Sequence, residues 1–92
     1  AHPVTSMKVL MKSVDMICVN SRDGAVTPIK FRFWEDDRPR VIRIDRIISK
    51  KEDKIAGNRM ITFTVQSTLN GIEQIFEMKY EILALKWYLY KL

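Results

Sequence analysis

Along most of this chain apolar and polar residues take turns with a period of two, the spacing that sends side chains to opposite faces of a β-strand. Ile29, Phe31 and Phe33 alternate with Lys30, Arg32 and Trp34, which predicts a half-buried strand over 29–34. Ile61, Phe63 and Val65 alternate in the same way with Thr62, Thr64 and Gln66, and Phe76, Met78 and Tyr80 with Glu77 and Lys79. Between these two runs stands Asn70-Gly71. That pair tolerates the positive φ angles of a two-residue turn, so 61–80 reads as a tight hairpin. Nearer the start, Val14, Met16 and Cys18 alternate with Asp15, Ile17 and Val19. Apolar residues in both sets predict a strand covered on both faces. Ser21-Arg22-Asp23-Gly24 makes the turn after it.

Elsewhere the pattern breaks. After a turn over 35–39, whose Pro39 cannot donate to a central ladder, a strand resumes at Val41 and runs to Ile48, but its alternation slips between Ile44 and Ile47. A one-residue slip moves side chains to the other face, which predicts a bulge or bend near Asp45-Arg46. The stretch 49–59 is polar and charged, with Gly57-Asn58 as a turn signal, and reads as a long exposed loop or a single helical turn. Trp87-Tyr88-Leu89-Tyr90 has strong β preference. Residues 82–85 would be a short helical turn leading into it, and a helix over 80–92 is the competing assignment.

Six strands with short connections cannot hide their apolar faces in a flat sheet. The expected fold is therefore all-β, a six-stranded meander curled into an SH3-like or open β-barrel. Ninety-two residues suit one domain with one modest core. Residues 1–6 precede Met7-Lys8-Val9-Leu10, which looks like a natural start, so they read as an expression remnant or leader and 7–92 as the domain. His2, the single histidine, then falls outside the native chain.

Composition narrows the function. Hydrophobic residues make up 47% and charged residues 29%, which suits a globular chain and not a disordered one. The single cysteine, Cys18, excludes an intramolecular disulfide and a cysteine-based zinc site, and fits a reducing compartment. The most apolar run, 82–92, is interrupted by Lys86 and Lys91 and falls far short of the roughly 18–20 residues of a membrane span. No signal-peptide pattern is visible. A cytoplasmic location with no membrane partner is the expectation.

Charge carries the best functional lead. The net charge is +5, and its excess is local, with ten Lys and Arg against six Asp and Glu in 28–59 and three of each in 60–92. Such a patch can contact phosphates. Lys30, Arg32 and Trp34 share one strand face, with Arg43 on the strand beside it. The cations would neutralise phosphates and Trp34 would stack on a base, the two elements of a single-strand platform. The alternative is a solvated outer face, partly offset by Glu35-Asp36-Asp37, with Trp34 packed over a barrel end. Tyr88 and Tyr90 form a second candidate, because they share a face opposite Trp87 and Leu89 and could serve a protein interface or homodimer.

No catalytic centre is expected. Cys18 has no histidine to activate it, and its flanking Ile17 and Val19 favour a buried thiol. The acidic clusters Glu35-Asp36-Asp37 and Glu52-Asp53 read as solvated turns. Too few oxygen ligands gather for a hard cation, and the isolated Gly24, Gly57 and Gly71 form no phosphate-cradling loop. No metal site and no cofactor follow from the sequence.

The order of landmarks carries a resemblance. Pro28-Ile-Lys-Phe-Arg-Phe leads to Val41-Ile-Arg-Ile-Asp-Arg-Ile, then Gly57, Ile61-Thr-Phe-Thr-Val, Phe76-Glu-Met-Lys-Tyr and Trp87-Tyr-Leu. Over 28–92 this resembles small bacterial β-domains of unassigned function, some of which stand beside or are fused to Y-family translesion DNA polymerases. The resemblance implies an accessory role near DNA, with nucleic acid or a DNA-associated protein as partner, and brings no catalytic residues. The segment before Pro28 departs from that pattern.

The sequence therefore leaves two readings. One is a non-enzymatic basic binding module using Lys30, Arg32, Trp34 and Arg43. The other is a protein-interaction or self-associating domain using Tyr88 and Tyr90 or an unpaired sheet edge.

Overall fold

The computed structural model describes residues 9–91, and the expectations about residues 1–6 and His2 lie outside the described residues. The chain forms β1 (Val9–Asn20), β2 (Val26–Glu35), β3 (Arg38–Arg43), β4 (Arg46–Ile55), β5 (Asn58–Leu69), β6 (Ile72–Glu81) and β7 (Lys86–Lys91). Every neighbouring pair is antiparallel, and the strands make one sheet in the order β3-β2-β1-β7-β6-β5-β4. The fold is all-β, as the periodicity requires. It has seven strands where six were expected, and the sheet is not closed into a barrel.

The additional strand lies where the sequence reads as a loop. In β4, Lys50 pairs with Phe63, Glu52 with Ile61 and Lys54 with Arg59. An edge strand keeps one side open to water and tolerates charge there, so β4 has lost the apolar signature that marks central strands. Its turn is Ala56-Gly57, and Asn58 already belongs to β5. The helical turn expected over 82–85 is a plain turn closed by Leu85 at φ 56, and the competing helix over 80–92 gives way to β6 and β7.

Two strands turn corners and curl the sheet. β1 pairs with β7 through residues 9–14 and with β2 through residues 15–20. Between β3 and β4 stand only Ile44 and Asp45, where the alternation slips. The Ile44 N–H donates to the Ile29 carbonyl at 2.8 Å and the Asp45 N–H to the Gln66 carbonyl at 2.8 Å. One bent segment thus reaches both ends of the sheet, although β3 and β4 share no ladder. Strands that switch between sheet halves at bends are how orthogonally packed sheets make their corners. Ile29 is the extra residue of a bulge in β2, since Ile17 faces Lys30 while Cys18 faces Pro28. Pro28 is tolerated within a strand because the bulge removes the need for its missing N–H.

Curling brings the inward residues of both halves into one core. Phe31, Phe33, Ile42 and Ile44 meet Phe63, Val65, Phe76, Met78, Trp87 and Leu89. Phe31 contacts Phe76 edge-on at 5.8 Å between ring centroids, and Phe63 lies 5.3 Å from Trp87. Each such side chain contributes about 1.5–3 kcal/mol by leaving water. The expectation that β1 is covered on both faces is corrected. Val14, Met16 and Cys18 pack on the core, while Ile17 and Val19 remain 57% and 54% exposed, because among the described residues no element covers the outside of this sheet.

Candidate functional site

The outer face of β1, β2 and β3 collects the residues singled out for charge. Burial of Phe31 and Phe33 fixes the register of β2 and so turns Lys30, Arg32 and Trp34 outward. Burial of Ile42 does the same for Val41 and Arg43 on β3. Cross-strand pairing then sets Ile17 beside Lys30 and Lys30 beside Arg43 in one row. The next row is Asp15, Arg32 and Val41, and Trp34 stands opposite Pro39 beyond it. The four predicted residues therefore share one exposed face, and Trp34 is 52% exposed instead of packed over an end of the core.

Their electrostatic states differ. Arg32 donates from Nη2 to Asp15 Oδ2 at 2.8 Å and from Nε to the same oxygen at 3.1 Å. Its guanidinium also lies 5.9 Å from the centroid of the Trp34 ring. Arg32 is thus held by a carboxylate and leans along the strand toward Trp34. Lys30 and Arg43 take part in no ion pair among the described residues, although they face each other directly. Like charges opposite one another destabilise a strand pair, so this pair invites an anion.

The remaining cations of 28–59 are mostly engaged. Arg40 bonds Glu35 at 2.9 Å and lies over the Phe33 ring, and Lys50 lies over the Phe63 ring. Arg59 bonds Glu52 and Arg46 bonds Gln66, each at 2.9 Å. These groups close the rims of the core and do not converge on a ligand. Arg38 and Lys54 join Lys30 and Arg43 in having no ion pair among the described residues, but only Lys30 and Arg43 lie directly opposite each other on the face that carries Trp34.

That site has members the sequence did not reveal. Ile17, 57% exposed, and Val41, 61% exposed, flank β2 from either side, and Asp15 anchors Arg32. Alternation alone places Asp15 and Ile17 opposite the Val14 and Met16 face. Their nearness to Lys30 and Arg32 depends on cross-strand register, which no local pattern states.

Tyr88 and Tyr90 share the outer face of β7, opposite Trp87 and Leu89, and are only partly exposed. The Tyr88 hydroxyl donates to Glu81 Oε1 at 3.0 Å. That bond to the carboxylate, with partial desolvation and the negative charge adding to it, raises the phenol above its ordinary value of 10.0. The Tyr90 ring carries the Lys79 ammonium 4.3 Å from its centroid, and Lys79 also donates to Thr62 Oγ1 at 3.1 Å. Both rings are already engaged within their own sheet.

The acidic clusters are engaged or built into turns. Asp36 and Asp37 occupy the β2–β3 turn at φ 50 and 61, Glu52 accepts from Arg59, and Asp53 lies 3.9 Å from Lys51. Cys18 is half-buried and packs on the core. Among the described residues no group of three or more His, Cys, Asp or Glu gathers to hold a metal ion. No helix there is long and apolar enough to cross a membrane. No known protein family, curated protein or solved structure matches this chain.

Proposed function

We propose that this protein is a non-enzymatic binding module whose outer β2–β3 face takes nucleic acid, with Lys30 and Arg43 on phosphates and Trp34 on a base. The observation that carries the reading is the directly opposed pair Lys30 and Arg43, in no ion pair among the described residues, on the same face as the half-exposed Trp34. Arg32 has a different role from the other two cations. Tied to Asp15, it holds Trp34 in place by stacking and leaves phosphate contact to its neighbours. An accessory role near DNA, implied by the resemblance to polymerase-associated β-domains, is compatible with this face.

Titration against labelled single-stranded and duplex oligonucleotides at low and moderate salt tests the reading. Two phosphate contacts predict a log–log salt slope of about −1.4 to −1.8. Binding should quench Trp34 emission, and the Lys30→Glu/Arg43→Glu variant should not bind. Asp15→Asn frees Arg32, so it should tighten binding and steepen the slope by about one phosphate. Absence of binding at low salt would sink the reading.

The rival is self-association or protein binding through a sheet edge or the Tyr88/Tyr90 face. Its support is weaker, because β3 carries Pro39 between two arginines and β4 carries Lys50, Lys51 and Lys54, which blunt both edges. It would appear as salt-insensitive association that responds to Tyr90→Ala.

A further inference from the structure

On the same face a shallow depression of about 270 Å³ lies between Lys30 and Arg32, with Ile17 and Val41 as its flanks. Its origin is local. Arg32 is drawn toward Asp15 and Trp34 and away from Lys30, and the Phe31 side chain between them points into the core. The floor is therefore strand backbone, and the two flanks are apolar side chains from neighbouring strands. At one end stand Lys30 and Arg43, and at the other the Arg32–Asp15 pair.

We infer that this depression is the seat of one nucleobase, so that the face binds single strands and excludes paired ones. The inference rests on the nucleic-acid reading of this site and adds Ile17 and Val41 to it. Charge complementarity selects the occupant. The two cations, in no ion pair among the described residues, favour an anion beside an apolar slot, and an exposed indole continues the same line. Single-stranded nucleic acid offers anions and flat rings in that alternation. Along β2 the slot lies three residues from Trp34, about 10 Å at the rise of a strand, so two bases seat separately. A base inside a duplex has both faces stacked and cannot enter.

The test compares a single-stranded oligonucleotide, its duplex and an abasic strand of equal length, by fluorescence anisotropy at low salt. Wild-type protein should prefer the base-bearing single strand to the abasic one. In Trp34→Ala a preference of about tenfold should survive, because the slot still holds a base. Adding Val41→Ser or Ile17→Ser to Trp34→Ala should erase it, while a retained thermal melt shows that these exposed positions leave the fold intact. A Trp34→Ala protein that binds both strands equally would overturn the seat while leaving phosphate binding standing. Duplex binding as tight as single-strand binding would overturn it as well. Displacement of the oligonucleotide by an acidic peptide of equal charge would reassign the slot to a protein partner. If wild-type protein binds no oligonucleotide, the underlying reading fails first.

Discussion

Ser67 occupies an inward position on β5, fully buried, and its hydroxyl has no hydrogen-bond partner among the described residues. A buried hydroxyl left unpaired is a cost that alanine removes at little loss of volume. Ser67→Ala should therefore raise stability by about 1 kcal/mol in urea unfolding. A loss of that size would mean that the hydroxyl is satisfied in solution. Tyr88 offers a residue-scale test on the outer face. Its phenol donates to Glu81, which favours the neutral form, so the folded value lies above the unfolded one. The stability this contributes is complete below the unfolded value near 10.0 and is lost as pH rises through the folded one. Alkaline titration of the Tyr88 ring by NMR should find it ionising late, and Glu81→Ala should bring it back down. Equal titration in both proteins would show that the bond does not form.

At the scale of elements, three hairpins of this sheet use two-residue turns in which both residues have positive φ. They are Asp36-Asp37 at 50 and 61, Ala56-Gly57 at 51 and 83, and Asn70-Gly71 at 52 and 77. This is the geometry whose twist matches the flanking strands, and it favours Asn and Gly. Only the third pair announces itself in the sequence. Ala56 and the two aspartates adopt the left-handed region at a cost of about 1–2 kcal/mol per residue. Asp37→Gly and Ala56→Asn should each stabilise the protein by about 0.5–1 kcal/mol, read as a higher urea midpoint at constant slope. A lowered midpoint would show that the native side chain makes a compensating contact. The same fact explains why β4 was missed. Its alternation is charged on both faces and its turn carries an alanine, so neither the strand nor the hairpin has the usual signature. The bend at Ile44-Asp45 was legible, because a slipped alternation is a local event. What the bend accomplishes was not, since it depends on β3 joining β2 while β4 joins β5.

For the whole molecule, the pairing of β1 with β7 ties the beginning of the described chain to its end. The shared face of Lys30, Arg32 and Trp34 could be read from period two alone, and Arg43 needed only the neighbouring hairpin. Asp15 and Ile17 needed the register of the β1–β2 pairing, which shifts at Ile29, and the curl of the sheet required a contact between the first and last strands, which no local pattern encodes. That contact also makes stability a property of the complete sheet. Without residues 86–92, the first half of β1 loses its ladder and the second half of β6 keeps only its pairing with β5. Trp87 and Leu89, 6% and 0% exposed, leave the core, and Phe63 and Tyr80 lose the indole they pack against. Two such side chains are worth about 1.5–3 kcal/mol each before any cavity term, against a total stability of about 5–15 kcal/mol for a domain. The two bared strand edges add a template for aggregation. A chain ending at Leu85 should therefore show no cooperative thermal transition by circular dichroism and should associate at micromolar concentration. A sharp, reversible melt of that shortened chain would mean that the remaining strands close a core of their own, and that the pairing of β1 with β7 is not what holds the sheet curled.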